Sequence, residues 1–173
     1  MKKNLLCLLL SGLFISSVNN AMAQNSSSMR IIGSVVASSC DIDTSGFSNI
    51  SMPSVTQKDF SGKGSTAGEQ SFEVKVSDCP NTVNSAQVSV SGKSDATDAN
   101  LLAIDTGENM ATGIAIGITA QGNQLAVNTG KSIPRQVKSG EATFEMTAKY
   151  IATSDVVVSG GVSATAQINV TYL

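Results

Sequence analysis

Histidine and tryptophan are absent from the 173-residue sequence, and tyrosine occurs only twice. Without histidine, neither a Ser-His-Asp nor a Cys-His catalytic arrangement can be built. Zinc sites also rely chiefly on cysteine and histidine, so we expect no metal site and no cofactor. Sugar-binding proteins often use exposed tryptophan or tyrosine side chains as platforms. This chain has too few aromatic residues to supply such a platform. The sequence therefore predicts a protein without catalytic residues that is not an enzyme.

Acidic residues occur in pairs, but neither pair predicts a site. Asp41 and Asp43 lie beside Cys40 without a clustered third ligand. Asp95 and Asp98 lie in a polar stretch, where no apolar wall would raise the pKa of a carboxyl group. We interpret both pairs as solvated surface.

The first 23 residues have the pattern of a secretory signal peptide. Lys2 and Lys3 precede an apolar run over residues 5–15, and a small-x-small Ala-Met-Ala site ends at Ala23. We expect cleavage after Ala23, so that the mature chain begins at Gln24. No later stretch is apolar enough to span a membrane.

Export determines how the remaining cysteines and charges are interpreted. Cleavage removes Cys7 and leaves Cys40 and Cys79, and a cysteine pair in a small exported domain predicts a disulfide. Cleavage also removes Lys2 and Lys3 from 11 basic residues, which leaves nine against 13 acidic ones and a formal charge of −4. This negative charge argues against a nucleic-acid partner.

The last eleven residues, 163–173, show the clearest pattern in the chain. Ala164, Ala166, Ile168, Val170 and Tyr172 alternate with polar residues. A strict two-residue period predicts a strand with one buried and one solvated face. Chain ends usually fray unless they are tied down, so an apolar strand at this end is a candidate docking element.

The rest of the mature chain predicts further short strands and no convincing helix. Alternating apolar residues mark strands near residues 72–76, 86–90, 114–118 and 144–150, and Gln121-Gly122-Asn123 is a hairpin signal. About eight strands with turns at regular intervals are typical of an all-β, antiparallel sandwich of the immunoglobulin type. A true antibody domain has a tryptophan in its core, and this chain has none, so it is not expected to be an antibody-like domain.

The C-terminal residues resemble the end of subunits of type 1-like pili, the fimbriae that the chaperone–usher pathway assembles. That family typically has a penultimate tyrosine, a glycine fourteenth from the end and alternating apolar residues between them. Tyr172 is penultimate here, and Gly160 is the fourteenth residue from the end.

Three more segments carry the resemblance, which covers the whole mature chain. Gly33, Val35, Val36 and Cys40 fit a segment with which the pilin domain begins. Residues 100–104 and residues 144–150 resemble two further pilin motifs, although Met146 and Thr147 interrupt the second.

The resemblance implies an incomplete immunoglobulin-like β-sandwich that is completed by a donor strand from another subunit. Residues 1–23 would be the signal peptide, 24–32 the N-terminal donor extension and 33–173 the pilin domain. The implied donor side chains are Ser27, Met29 and Ile31. The implied acceptor groove, which would also bind the chaperone, includes Gly160, Ala166, Ile168, Val170 and Tyr172.

The resemblance implies that the chain is a structural subunit of a cell-surface fimbrium. Such a subunit would be exported through the periplasm and would support adhesion. Its partners would be neighbouring pilin subunits, a periplasmic chaperone and an outer-membrane usher. Two alternatives stay open: a minor or adaptor pilin of the same pathway, and a monomeric secreted β-sandwich that binds carbohydrate.

Overall fold

The computed structural model describes residues 40–130 and 133–173, all within one unit that spans residues 36–173. Several predictions lie outside the described residues: the signal peptide 1–23, the cleavage site at Ala23 and Gln24, and the donor extension 24–32 with Ser27, Met29 and Ile31. The start of the domain at Gly33 lies outside them as well.

In the part of the chain that the structure describes, eight strands form two antiparallel sheets, so the expected all-β sandwich is confirmed. The first sheet has the order β1-β2-β7-β4-β5 and the second has the order β6-β3-β8. The strands are β1 (Asp41–Asp43), β2 (Thr66–Ser77), β3 (Ser85–Gly92), β4 (Ile114–Ala120), β5 (Asn123–Leu125), β6 (Ile133–Gln136), β7 (Ala142–Ala152) and β8 (Ala166–Tyr172). One 3-10 turn, Gln57–Asp59, is the only helical element among the described residues.

Side-chain alternation explains why β2 and β7 pair in a single register. Val74 lies opposite Phe144, and both side chains are completely buried between the sheets. The intervening Glu73 and Glu145 are exposed and face each other on the outer surface. A shift of one residue would bury both carboxylates and expose the apolar side chains, so the burial pattern fixes the register.

The hairpin between β4 and β5 has the turn that its sequence predicts. Gln121 and Gly122 join Ala120 to its partner Asn123 with φ values of 51° and 76°. Two central residues with positive φ characterise the type I′ turn, whose twist matches that of the flanking strands.

Some segments have a structure that local sequence patterns do not predict, because it depends on partners distant in sequence. Residues 42–53 are rich in turn signals, yet Asp41–Asp43 pair with β2. The apolar run at residues 101–104 forms no regular strand; Leu102 exchanges two 2.9 Å backbone hydrogen bonds with Ile116. The last strand begins at Ala166, three residues later than the predicted start.

The disulfide between Cys40 and Cys79 is confirmed, and it links the chain just before β1 to the chain just after β2. The two cysteines are 39 residues apart in sequence and their Cα atoms are 4.2 Å apart. In the chain-entropy model, closing a loop of this size stabilises the folded state by about 4 kcal/mol.

Removing the disulfide should therefore cost a large share of a stability that is typically about 5–15 kcal/mol. We expect the double variant Cys40→Ser/Cys79→Ser to show a markedly lower denaturant midpoint and lower periplasmic yield than the parent. The intact mass of the exported parent protein should rise by the mass of two hydrogen atoms on reduction. Free thiols at both positions in the exported protein would contradict the assignment.

Candidate functional site

Within residues 40–130 and 133–173, the β8 strand lies at the edge of the second sheet and pairs with β3 alone. Its register runs from Ala166 opposite Gly92 to Tyr172 opposite Ala86. No other strand among the described residues pairs with its free edge. Backbone N–H and C=O groups along such an edge form a template for an additional strand.

The side chains of β8 alternate between the interior and the solvent, as the sequence predicts. Ala166, Ile168, Val170 and Tyr172 are half-buried and pack against the core, whereas Gln167, Asn169 and Thr171 are exposed. The apolar set is only partly covered, although the matching apolar residues of its neighbour β3 are fully buried. The free edge therefore has partly uncovered apolar side chains as well as backbone groups that no other described strand pairs with.

A cleft of about 340 Å³ opens between the two sheets beside the first half of β8. Ala166 and Ile168 line it, together with Ala164 from the preceding segment. Apolar side chains form most of the remaining wall: Phe47, Ile50, Met52, Phe72, Leu102, Ile116, Ile118 and Ala148. Ser48, Asn49 and Thr165 complete the wall, and no ionisable side chain of the described residues lines it. The cleft is therefore an uncharged slot with mostly apolar side chains, next to the edge of β8.

Phe47, Ile50 and Met52 are wall residues whose place in the site the sequence pattern does not predict. They lie in a stretch of turns, which hides any period of two. The backbone amides of Phe47 and Ser48 both donate to the carbonyl of Thr44, which turns the chain there. The sequence does show that these apolar residues lie inside a turn-rich segment, which could have marked them as buried. Their position beside the cleft depends on tertiary contacts.

Tyr172 connects the far end of β8 to the disulfide. Its hydroxyl donates a 3.4 Å hydrogen bond to the carbonyl oxygen of Cys40. Burial, and to a lesser extent the negative charge of Asp41, raises the pKa of Tyr172, so its hydroxyl keeps its proton at neutral pH. The next residue, Leu173, is held by a 2.8 Å bond from its amide to the carbonyl of Ser85. This end of β8 is thus tied at two points.

Gly160 lies away from the cleft, against the loop that contains Met110. A Cβ atom on Gly160 would overlap the carbonyl carbon of Met110 and the amide nitrogen of Ala111. Close approach of two backbones is thus the local reason for glycine at this position. Val170 and Tyr172 also lie outside the cleft wall, and the assignment of these three residues to a groove stays a prediction.

In residues 40–130 and 133–173, no group of three or more His, Cys, Asp or Glu side chains could hold a metal ion. Within the same ranges, no helix is long and apolar enough to cross a membrane.

Comparison with known proteins connects this geometry to one family. The fimbrial protein family model matches residues 28–173. The chain is similar to long polar fimbria protein A of Salmonella typhimurium, with 31% identity over 167 residues that cover 94% of this chain and 93% of the relative.

Solved structures agree with that match. A Burkholderia pseudomallei antigen and type I fimbria protein has a TM-score of 0.60 and 32% identity, over 79% of this chain and 91% of its own. A chaperone–usher pilus structure has a TM-score of 0.64 at 20% identity, over 87% of this chain and 97% of its own, which shows a shared fold.

The Gly160 contact predicts unequal effects at two adjacent glycines. We expect Gly160→Ala to reduce the free energy of unfolding by about 1–3 kcal/mol, since the new methyl group overlaps backbone atoms. Gly161→Ala is the matched control, because its Cβ would lie 3.5 Å from the sulfur of Met110, an ordinary contact. Denaturant unfolding of both variants measures the difference, and equal stability would contradict the close approach.

Proposed function

We propose that this chain, which belongs to the fimbrial protein family, assembles by accepting a strand from a neighbouring subunit at the free edge of β8. The chain is a structural subunit of a chaperone–usher fimbria. It is exported through the periplasm and displayed in fimbriae at the cell surface, where subunits polymerise with one another.

The single observation that carries the proposal is the unpaired edge of β8 above the apolar cleft. A strand added there gains main-chain hydrogen bonds along β8, and its alternate side chains enter the cleft. Backbone pairing supplies affinity without sequence preference, whereas the spacing of the apolar side chains selects the register. Both components of strand addition are therefore present on one side of the sandwich.

Residues 24–32 of the neighbouring subunit are the proposed donor. Ser27, Met29 and Ile31 alternate with Ser28, Arg30 and Ile32, and a period of two is what a strand needs in order to place every second side chain in the cleft. Met29 and Ile31 match the apolar wall formed by residues such as Phe72 and Leu102. The support for this assignment is the sequence pattern, since the donor lies outside the described residues.

A periplasmic chaperone and an outer-membrane usher complete the proposed assembly. A free subunit with an open strand edge and an apolar cleft is prone to pair with other chains in the wrong way. A chaperone strand that occupies the same cleft prevents this until the next subunit replaces it at the usher. The same apolar, uncharged wall offers no group for acid–base chemistry, which supports a structural role rather than an enzymatic one.

A charge in the cleft should abolish assembly. We expect Ile168→Asp to lose both chaperone binding and surface pili, because an unpaired carboxylate facing an apolar wall costs several kcal/mol. Gln167→Asp is the control, since it puts the same side chain on the exposed face of the same strand. Asn169→Asp is a less clean control, because the Asn169 amide donates a 2.9 Å hydrogen bond to the Ser91 hydroxyl.

Chaperone co-purification and surface pilus yield measure these effects. Gln167→Asp should behave nearly as the parent does. Near-normal assembly of Ile168→Asp would show that this face of β8 does not border the assembly site.

Deleting residues 24–32 should separate accepting a strand from donating one. The shortened subunit keeps β8 and the cleft, so we expect normal co-purification with the chaperone. It has no donor segment, so it should join a fibre but fail to extend it, which reduces polymer length in a purified exchange assay. Normal polymerisation of the shortened subunit would show that the donor is another segment.

A further inference from the structure

Large apolar side chains are exposed at only four positions among the described residues. They are Ile42, Val156, Val158 and Leu173, with exposed fractions of 40%, 70%, 47% and 58%. Isolated exposed apolar side chains are normal on a protein surface. Here, however, the four form two groups at opposite ends of the sandwich.

Ile42 and Leu173 lie at the disulfide end. Ile42 pairs with Val76 near the end of β2, and Leu173 follows Tyr172, whose hydroxyl bonds to Cys40. Val156 and Val158 lie at the other end, just beyond the pairing of Ile114 with Ala152.

The loop that contains both valines is firmly held. Val158 exchanges backbone hydrogen bonds of 3.0 and 3.2 Å with Thr112. The side-chain amide of Gln57 donates a 2.7 Å bond to the carbonyl of Val157, whose own side chain packs against the core. The two exposed valines thus flank an inward-facing one on an anchored loop.

The proposed strand addition predicts which ends of two subunits meet. Every strand pair within the two sheets is antiparallel, and antiparallel pairing is the slightly more stable kind. A donor antiparallel to β8 leaves the cleft at the Ala166 end, the end that carries the two valines. Residues 33–39 then join that donor to Cys40 of its own subunit.

The length of this connection limits the separation of the two bodies. Seven residues span at most about 25 Å when fully extended. The Cys40 end of the donating subunit, with its exposed Leu173, is therefore restricted to within about 25 Å of the point where the donor leaves the accepting subunit, at its valine end.

We propose that Val156 and Val158 of one subunit contact the Leu173 end of the next subunit, as a second interface outside the cleft. This inference rests on the proposed function, because the strand connection brings the two ends together. The contact is heterologous, since different surfaces meet, and repeating it extends a filament rather than closing a ring. It buries apolar side chains that a free subunit leaves in water and resists separation of neighbouring subunits.

The test is a charge exchange across the proposed contact. Val156→Asp puts a carboxylate opposite Leu173, and Leu173→Lys supplies a matching cation while the backbone bonds of residue 173 remain. Gln167→Asp is again the control. The measurement is the rate at which purified pili release subunits in denaturant, together with the yield of chaperone-bound subunit.

We expect Val156→Asp pili to release subunits about tenfold faster than the parent, because contact mutations act mainly on dissociation. Val156→Asp/Leu173→Lys should recover most of the parental rate. Chaperone-bound yield should stay at the parental level, since residue 156 is not part of the cleft wall. The contact would also be supported if the Val156→Asp subunit formed a normal chaperone complex but no pili, and if the double variant formed pili again.

Two results would overturn the inference while the proposed function stands. One is a parental release rate for Val156→Asp; the other is equal weakening by Gln167→Asp, which would indicate a general charge effect. A failure of the proposed function looks different, because the subunit without residues 24–32 would then polymerise normally.

Discussion

The free edge of β8 is the constraint on which the rest of this molecule depends. Among the described residues, a sheet of three strands faces a sheet of five, and the smaller sheet ends in a seven-residue strand with one partner. The half-buried residues Ile168 and Val170 of that strand are only partly covered. In the proposed assembly, a strand from another subunit completes the sandwich at this edge. Assembly would then continue folding, with the last strand supplied between chains.

The surrounding structure keeps β8 in place as a template. At one end, Tyr172 bonds to Cys40, and the disulfide links that residue to Cys79 after β2. Towards the other end, the chain that leads into β8 lies so close to the 109–111 loop that only glycine fits at residue 160. An edge anchored on both sides can accept a strand without first paying the entropy of ordering itself.

The proposed polymerisation through an open edge would also give the filament its direction. The proposed donor and the cleft are different surfaces of one chain, so each addition would leave a new cleft or a new donor exposed. If the donated strand becomes part of its neighbour's fold, separating two subunits requires partial unfolding, and durability becomes a kinetic property. The exposed residues Val156 and Leu173 at opposite ends are placed to add cohesion along the same direction.

The sequence by itself determined the strands whose burial follows a period of two, such as β2, β7 and β8, because that pattern is local. It also predicted the disulfide, since the expected cleavage after Ala23 would leave only Cys40 and Cys79 to pair. Tertiary structure alone decided that β1 and β6 are strands, that Phe47 and Ile50 wall the cleft, and that Gly160 approaches the 109–111 loop. Those features depend on contacts between segments far apart in the chain, and no local pattern of side chains encodes which distant surface each will meet.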